Sequence, residues 1–584
     1  MPNITESTDA SASSGTNYRL GVGQTAQGRL SSNSDHDWYR VTLTAGQTYT
    51  FAVVGTGGND LPDPFLRLRN SSGSVVSYDD DGGPGSNATI TFRATSSGTY
   101  FIDVGSYNNA SSGQYGLSFT AGSLAHYDYM MGAGNLARGG YSWSSTAGRG
   151  VNVTYSFDTS NSDQTDASGN ATAFIALSSA QRSAAQQSLA MFAEVSNISF
   201  TQVAANTGTM RFSAYNSTAD GSGAYAYFPG STAAGNTAGD VNLNNDSVST
   251  SSLPRGSYSF FALLHEIGHA MGLQHPGDYN AAPGVSITYG THAQFIEDSH
   301  QYTVMSYFDE SSTTDSVNSY PDTLLMFDIL AIQQLYGVDR NTRSGDSIYG
   351  FNSNTGSVYN FASNSTPFFC IWDGKGNDTI DASLYSMAQR INLNAGSFSD
   401  IGGFDGNVSI AIGAVIENAK GGKSNDVIYG NSSSNRLWGN AGNDTLKGNS
   451  GNDRLYGGSG NDKLYGGSGK DTLSGSSGKD TFYFNTALNS STNVDTITDF
   501  SVADDTIALE NSIFTKLTKT GTLASSAFVA NKSGLATDSK DRIIYETDTG
   551  NLYYDSNGNA SGGRILFAKL DDGLHLTHSD FLVV

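Results

Sequence analysis

"LLHEIGHAMGLQHPGDY", Leu263 to Tyr279, places His265, Glu266, His269 and His275 within eleven residues of a chain that has 9 histidines in 584 residues. His265 and His269 are four apart, so one face of a helix presents both imidazoles to a single zinc ion. Glu266 lies beside them without being forced into coordination, where it can take a proton from a water that the cation makes acidic. Ten further residues of unbroken helix would carry His275 about 15 Å along the axis. Gly272 removes that difficulty, because a left-handed residue there ends the helix and turns the chain back.

The segments around this motif read as mixed structure. "VNVTYSF" at 151–157 has the alternation of a strand, and "SSAQRSAAQQSLAMFAEVSN" reads as an amphipathic helix opened by a Ser178-x-x-Gln181 capping box. "MRFSAY", "AYAYFPG" (224–230) and "GDVNLN" (239–244) are further short strands, the last two candidates for the border of a cleft. "DTLLMFDILAIQQLYG" sets Leu325, Ile329 and Ile332 on one stripe and stops at Gly337, as a core helix does. Together these predict an α+β domain over 122–340. Upstream, residues 1–14 are Ser-rich and polar and are expected to be a disordered lead. Residues 15–121 alternate with period two between Gly, Asn and Asp turns, which predicts an antiparallel β-sandwich. Its Asp35, Asp37, Asp79, Asp80 and Asp81 are either calcium ligands converging from loops or solvated turn residues.

Beyond 340 the chain becomes rich in Gly, Asn and Asp, and from 421 to 483 it repeats every nine residues: GGKSNDVIY, GNSSSNRLW, GNAGNDTLK, GNSGNDRLY, GGSGNDKLY, GGSGKDTLS, GSSGKDTFY. The sixth positions are Asp426, Asn435, Asp444, Asp453, Asp462, Asp471 and Asp480; the eighth are Ile428, Leu437, Leu446, Leu455, Leu464, Leu473 and Phe482. Each unit is a glycine-rich turn ending in an acid, then a short strand with one inward apolar side chain. The turn oxygens suit calcium, and stacked units form a parallel β-roll. One apolar side chain per strand is little to hold a roll together, so ion binding is expected to drive its folding. Asn435 interrupts the acids, which predicts a weak or absent site there.

Composition narrows the partners. With 54 acidic against 30 basic residues and a net charge of -24, the chain lacks the clustered cations that nucleic acid or anionic membranes require. No run reaches the length of a membrane span, and the first twenty residues show neither a basic n-region nor an apolar h-region, so no cleavable secretory signal is expected. The single cysteine, Cys370 in "FFCIW", excludes an intramolecular disulfide and reads as a small buried apolar residue.

These motifs also carry resemblances. The spacing H-E-x-x-H-x-x-G-x-x-H is similar to the metzincin zinc-protease signature, and "HEIGHAMGLQHPGDYNA" closely resembles the serralysins, the calcium-dependent zinc endopeptidases of bacteria. "QYTVMSYF" (301–308) resembles the Met-turn of that family, which implies Met305 as the floor beneath the metal and Tyr307 as a tyrosine that approaches it and then stabilises the oxyanion. The likeness runs from about 150 to 485. By position it implies further calcium sites on Arg343, Gly345, Ser347, Asp373, Lys375, Gly376, Asp378, Val415 and Glu417, several through backbone carbonyls. The nonapeptides resemble RTX repeats, implying calcium at Asp426, Asp444, Asp453, Asp462, Asp471 and Asp480. "SDHDWYRVTLTAGQTYTF", "VVSYDDDGG" and "SGTYFIDV" resemble the pre-peptidase C-terminal β-sandwich. Asp580 followed by "FLVV" resembles the uncleaved signal read by type I exporters.

The resemblances imply a multidomain chain: β-sandwich (15–121), metzincin catalytic domain (122–340), and calcium-binding roll with β-rich cap and secretion region (341–584). They imply a secreted, monomeric zinc endopeptidase with one catalytic Zn2+, several structural Ca2+, broad protein substrates and type I export machinery as partner. The alternative is a calcium-dependent adhesive or surface-binding RTX protein with an inactive protease-like domain; the intact ligands and base speak against it.

Overall fold

A computed structural model describes the chain except residues 1–3, 7–9, 46, 57–59, 80–86, 95–96, 123, 231–234, 278, 281–285 and 315–316. Two compact units emerge, one of Met1–Asp128 with His275–Ser299 and Ser306–Phe308, the other of the remaining residues.

In the first unit two sheets face each other. One runs in the order Ile4–Thr5, Gln24–Leu30, Gly113–Gly122, Thr48–Gly55, Ala88–Arg93, the other Asp37–Leu43, Gly98–Ser106, Pro64–Arg69, Val75–Asp79. Alternate residues fill the space between them, among them Tyr39, Val41, Phe51, Leu66, Leu68, Ile102, Val104 and Phe119, as a sandwich with one wet face per sheet requires. Ile4 and Thr5 pair with Ala26 and Gln27, so part of the stretch expected to be disordered is a strand. Asp37 is fully buried and accepts the Tyr115 hydroxyl at 2.7 Å. Asp35 accepts the Ser31 amide and hydroxyl, and Asp79 accepts the Thr89 amide. These three acids tie turns and strands; Asp80 and Asp81 lie outside the described residues. The loop that follows His275 packs on residues 124–127 of the same unit. Ala125 bridges Phe295, the Tyr127 ring stacks on Phe295 at 4.2 Å, and His126 Nδ1 lies 2.8 Å from Glu297.

The second unit opens with a five-stranded sheet in the order Ile198–Gln202, Val151–Phe157, Met210–Tyr215, Val241–Asn244, Ala224–Ala226. Only the last pair is antiparallel, and it leaves Ala224–Ala226 at the edge. The Ser179–Val195 helix is opened by the expected capping box, with Gln181 donating to Ser178 at 3.1 Å and Ser178 to Gln181 at 3.0 Å. The motif helix, Tyr258–Ala270, is capped by Ser257. The Met326–Tyr336 helix ends at Gly337, whose φ is 80°. Among the described residues no helix is long and apolar enough to cross a membrane.

From residue 348 onward two sheets of eleven strands run side by side. Successive nonapeptides go alternately to one and the other. Arg436 therefore pairs with Arg454 and then Thr472, and Thr445 with Lys463 and then Thr481. Every eighth-position side chain from Ile428 to Phe482 is 0% exposed, so the roll's core is a single file of apolar side chains between two parallel sheets. Cys370 is buried in the same region, and burial pushes its thiol up to about 12.

Candidate metal centre

All of Phe260–Ala270 is buried, which brings His265, Glu266 and His269 into the interior. Gly272 then adopts φ 99°, and a Cβ there would collide with the Tyr141 carbonyl. Both features restrict the position to glycine. The turn brings the ligand-capable nitrogens of His265, His269 and His275 within 4.8 Å of one another.

Each imidazole is held by a carbonyl. Nδ1 of His265 lies 2.7 Å from Val304 O, that of His269 2.7 Å from Leu273 O, and that of His275 2.7 Å from Tyr279 O. A carbonyl can only accept, so each Nδ1 carries the proton and each Nε2 keeps a lone pair for a metal. Burial keeps the His265 and His269 rings neutral. It pulls His269 down to about 4, and it pulls His265 well below the ordinary imidazole value, with the neighbouring His269 adding to that shift. Three buried imidazoles tethered through Nδ1 fit zinc, which takes nitrogen ligands and uses three protein groups where a position must stay open. Burial alone pushes Glu266 up to about 8.

Met305 is fully buried, and a Cβ on Gly268 would strike its sulfur, so the turn Thr303–Met305 packs directly on the motif helix. Asp328, from the later helix, anchors that turn. Its Oδ1 accepts the Thr303 hydroxyl at 2.5 Å, and its Oδ2 accepts the amides of Val304 at 2.8 Å and Leu325 at 2.9 Å. It thereby fixes the carbonyl that orients His265. Burial raises Asp328 to about 7. A parallel support acts on the third histidine. The Tyr279 hydroxyl and the Ser306 hydroxyl both donate to the buried Asp298, each at 2.8 Å, and the Tyr307 ring lies 4.5 Å from that of His275. Asp328 and Asp298 were not among the residues singled out from sequence. Nothing in their local spacing marks them, because their role depends on loops closing in space.

The candidate calcium residues fall into two groups. Gly345, Ser347, Asp373, Gly376, Asp378 and Glu417 come together: Ser347 N donates to Asp378 Oδ1 at 2.7 Å, Asp378 N donates to Glu417 Oε2 at 2.7 Å, and Gly376 abuts Asp378 and the Gly345 carbonyl. Asp378 is raised to about 8, by burial and by the nearby Asp373 and Glu417. Lys375 joins only through its amide, which donates to Asp373. Arg343 sits at φ 50° with its guanidinium on Trp372 O and Glu194. Val415 is exposed.

In the nonapeptides the acids stack as two ladders. Gln389 N, Asp426 N, Asp444 N and Asp462 N donate to the carboxylate of the next rung, Asp426, Asp444, Asp462 and Asp480. Asn435 N and Asp453 N do the same to Asp453 and Asp471. The other carboxylate oxygens of Asp378, Asp444, Asp453, Asp462 and Asp471 are buried without a hydrogen-bond partner. Burial lifts Asp444 and Asp453 to about 7 and Asp426, Asp462 and Asp480 to about 6. Orphaned acidic oxygens beside glycine-rich turns fit a hard cation such as calcium. The ladders continue past the repeats, since Asp471 N donates to Asp495 and Asp480 N to Asp505. "VDTI" and "DDTI" at these positions echo the repeat's "NDTL" and were the available signal.

A helix with two imidazoles and a carboxylate, a third imidazole after a glycine turn, and a buried methionine packed against that helix define a metzincin-type metallopeptidase centre. The family comparisons agree. Residues 143–306 match a family model described as Matrixin, 338–583 one described as Peptidase M10 serralysin C terminal, and 35–106 one described as Bacterial pre-peptidase C-terminal domain. Metallopeptidase AprA of Pseudomonas marginalis is 41% identical over 327 residues, 54% of this chain and 68% of its own length. Serralysin of Photorhabdus laumondii is 42% identical over 51% of this chain and 63% of its own, and serralysin B of Dickeya chrysanthemi 42% over 48% and 59%. The chain thus spans between 59% and 68% of the length of these curated relatives. A solved pre-peptidase C-terminal domain of Bacillus anthracis collagenase covers 20% of this chain and 98% of its own, at 20% identity and a TM-score of 0.15, and the assignment of the sandwich rests on the family model. The chain belongs to the serralysin family of zinc metalloendopeptidases.

Proposed function

We propose that this chain is a secreted endopeptidase that hydrolyses peptide bonds in extended protein segments, with zinc held by His265, His269 and His275 and calcium held by the roll. The observation that carries the reading is the three carbonyl-tethered imidazoles beside the buried Glu266. Zinc, when bound, supplies a Lewis-acid charge for water and for the peptide carbonyl. Glu266 takes the proton of the attacking water and returns it to the leaving amine. Tyr307, partly exposed beside His275, donates a hydrogen bond to the developing oxyanion.

The edge strand Ala224–Ala226 offers its main chain to a substrate segment by strand addition. The Phe228 ring that follows stands edge-on to His269 at 5.4 Å, which supports a substrate edge close to that imidazole. Pairing through backbone groups discriminates little between side chains, and broad specificity follows. Calcium at the carboxylate ladders and at the Gly345–Glu417 cluster links folding of the roll to the high calcium outside a cell.

The test is casein cleavage by the full chain with and without a zinc-selective chelator. Cleavage should disappear on chelation and return with zinc. Chelator-insensitive cleavage would overturn the reading; a folded, zinc-loaded chain that cuts nothing would favour the calcium-dependent adhesive instead.

A further inference from the structure

The turn ending at Asn435 is wired differently from the four turns that follow it. In the turns ending at Asp444, Asp453, Asp462 and Asp471 the preceding rung presents a backbone N–H to one carboxylate oxygen, and the second oxygen is buried without a partner. At Asn435 the preceding rung presents a carbonyl. The amide Nδ2 donates to Glu417 O at 3.0 Å and to Asn431 Oδ1 at 3.0 Å, while Oδ1 accepts the Asn431 backbone amide at 2.8 Å.

Asn431 extends the same wiring. Its Nδ2 donates to Leu393 O at 3.1 Å and to Ile416 O at 2.8 Å, and its Oδ1 also accepts the Ser433 amide at 2.8 Å. Both asparagines are buried, at 8% and 1% exposure, and the N–H groups of their side chains are satisfied. Two amides therefore join this turn to the 416–417 segment and to Leu393, where the turns at Asp444, Asp453, Asp462 and Asp471 leave carboxylate oxygens without a donor; Asp426 has both oxygens satisfied by the Gln389 and Gly422 amides.

The chemistry of the position follows from that count. Two oxygens, Glu417 O and Asn431 Oδ1, each face the Asn435 Nδ2 at 3.0 Å, and the position between them suits a donor or a cation. A carboxylate at 435 would put a third oxygen, with no proton, against those two, the arrangement a calcium ion completes. We infer that the Asn435 amide stands in for a cation, so that the turn at 430–435 is a built-in calcium-free clasp between the irregular upper turns and the regular ladder, and that a single amide-to-acid change converts it into a calcium site. The inference rests on the calcium-binding reading of the roll.

The experiment counts calcium bound per full-length chain, by equilibrium dialysis with elemental analysis, for the unaltered chain, Asn435→Ala and Asn435→Asp. Circular dichroism and melting at each calcium concentration report whether the roll is folded. The unaltered chain and Asn435→Ala should bind the same number of ions, with Asn435→Ala melting lower. Asn435→Asp should bind one more and should need more calcium to reach the unaltered melting temperature. An ion lost in Asn435→Ala would overturn the inference, because Asn435 would then be a ligand. An unchanged count in folded Asn435→Asp would overturn it as well. Should Asn435→Asp fail to fold, Asn435→Ala alone decides. No calcium bound by the unaltered chain would instead contradict the reading of the roll.

Discussion

The three histidines have their orienting bonds in place, each Nδ1 on a carbonyl at 2.7 Å, whereas Asp444, Asp453, Asp462 and Asp471 each keep a buried oxygen with no partner. The histidine region lies among apolar side chains such as Phe260, Leu264, Ile267 and Met305 and is supported by Asp328 from another helix. The roll has one buried apolar side chain per nonapeptide and stacks its acids directly on one another. One region has its nitrogens already oriented, and on the proposed reading the other needs a cation to satisfy its acids. The proposed catalytic site is thus preorganised, whereas the proposed calcium scaffold leaves acidic oxygens to be satisfied from outside.

The contrast breaks hardest at a ligand. His275→Ala should reduce casein cleavage to background and abolish zinc retention, while calcium-dependent circular dichroism of the roll stays unchanged; loss of both together would dissolve the distinction. Next comes pH in the absence of calcium. Burial raises Asp444 and Asp453 to about 7 and Asp462 to about 6, above an ordinary carboxyl value of about 4. Such groups contribute stability that is complete below the unfolded value and lost as pH rises through the folded one. The calcium-free roll should therefore melt lower at pH 8 than at pH 5, and saturating calcium, which favours the ionised form, should remove or reverse that slope. Thermal melts across that range check the sign.

Two smaller effects sharpen the comparison. Leu455→Ala opens a cavity in the single file of the roll's core and should cost about 2–5 kcal/mol, measured by denaturant melts in calcium, with zinc content unaffected. Asp328→Asn removes one acceptor from three donors and should cost about 1–3 kcal/mol, lowering zinc affinity with no change in calcium count.

Much of this was legible in the sequence, and the reasons differ by region. His265, Glu266, His269, Gly272 and His275 are contiguous, so helix periodicity and one glycine determine their meeting. The nonapeptides repeat a local rule, and the rule yields both the strand alternation and the acid ladders. What did not show is whatever depends on long-range closure. Val304 holds His265 from 39 residues away, Asp328 reaches Val304 across 24, and the amides of Asn431 reach Leu393 across 38. No periodicity encodes such pairs. Asn435 was visible as a break in the acids, but the donation of its amide to Glu417 O, 18 residues away, was not. Ile4–Thr5 was hidden for a related reason, since a two-residue strand has no pattern of its own and exists through its partner Ala26–Gln27.

The most direct measurement compares Glu266→Ala with the unaltered chain for zinc content and casein turnover in saturating calcium. The account predicts equal zinc per chain, an unchanged roll and a fall in turnover of about 10²–10⁴-fold, the usual contribution of a general base. Turnover that stays within about tenfold of the unaltered chain, with zinc retained, would contradict the assignment of Glu266 as the base.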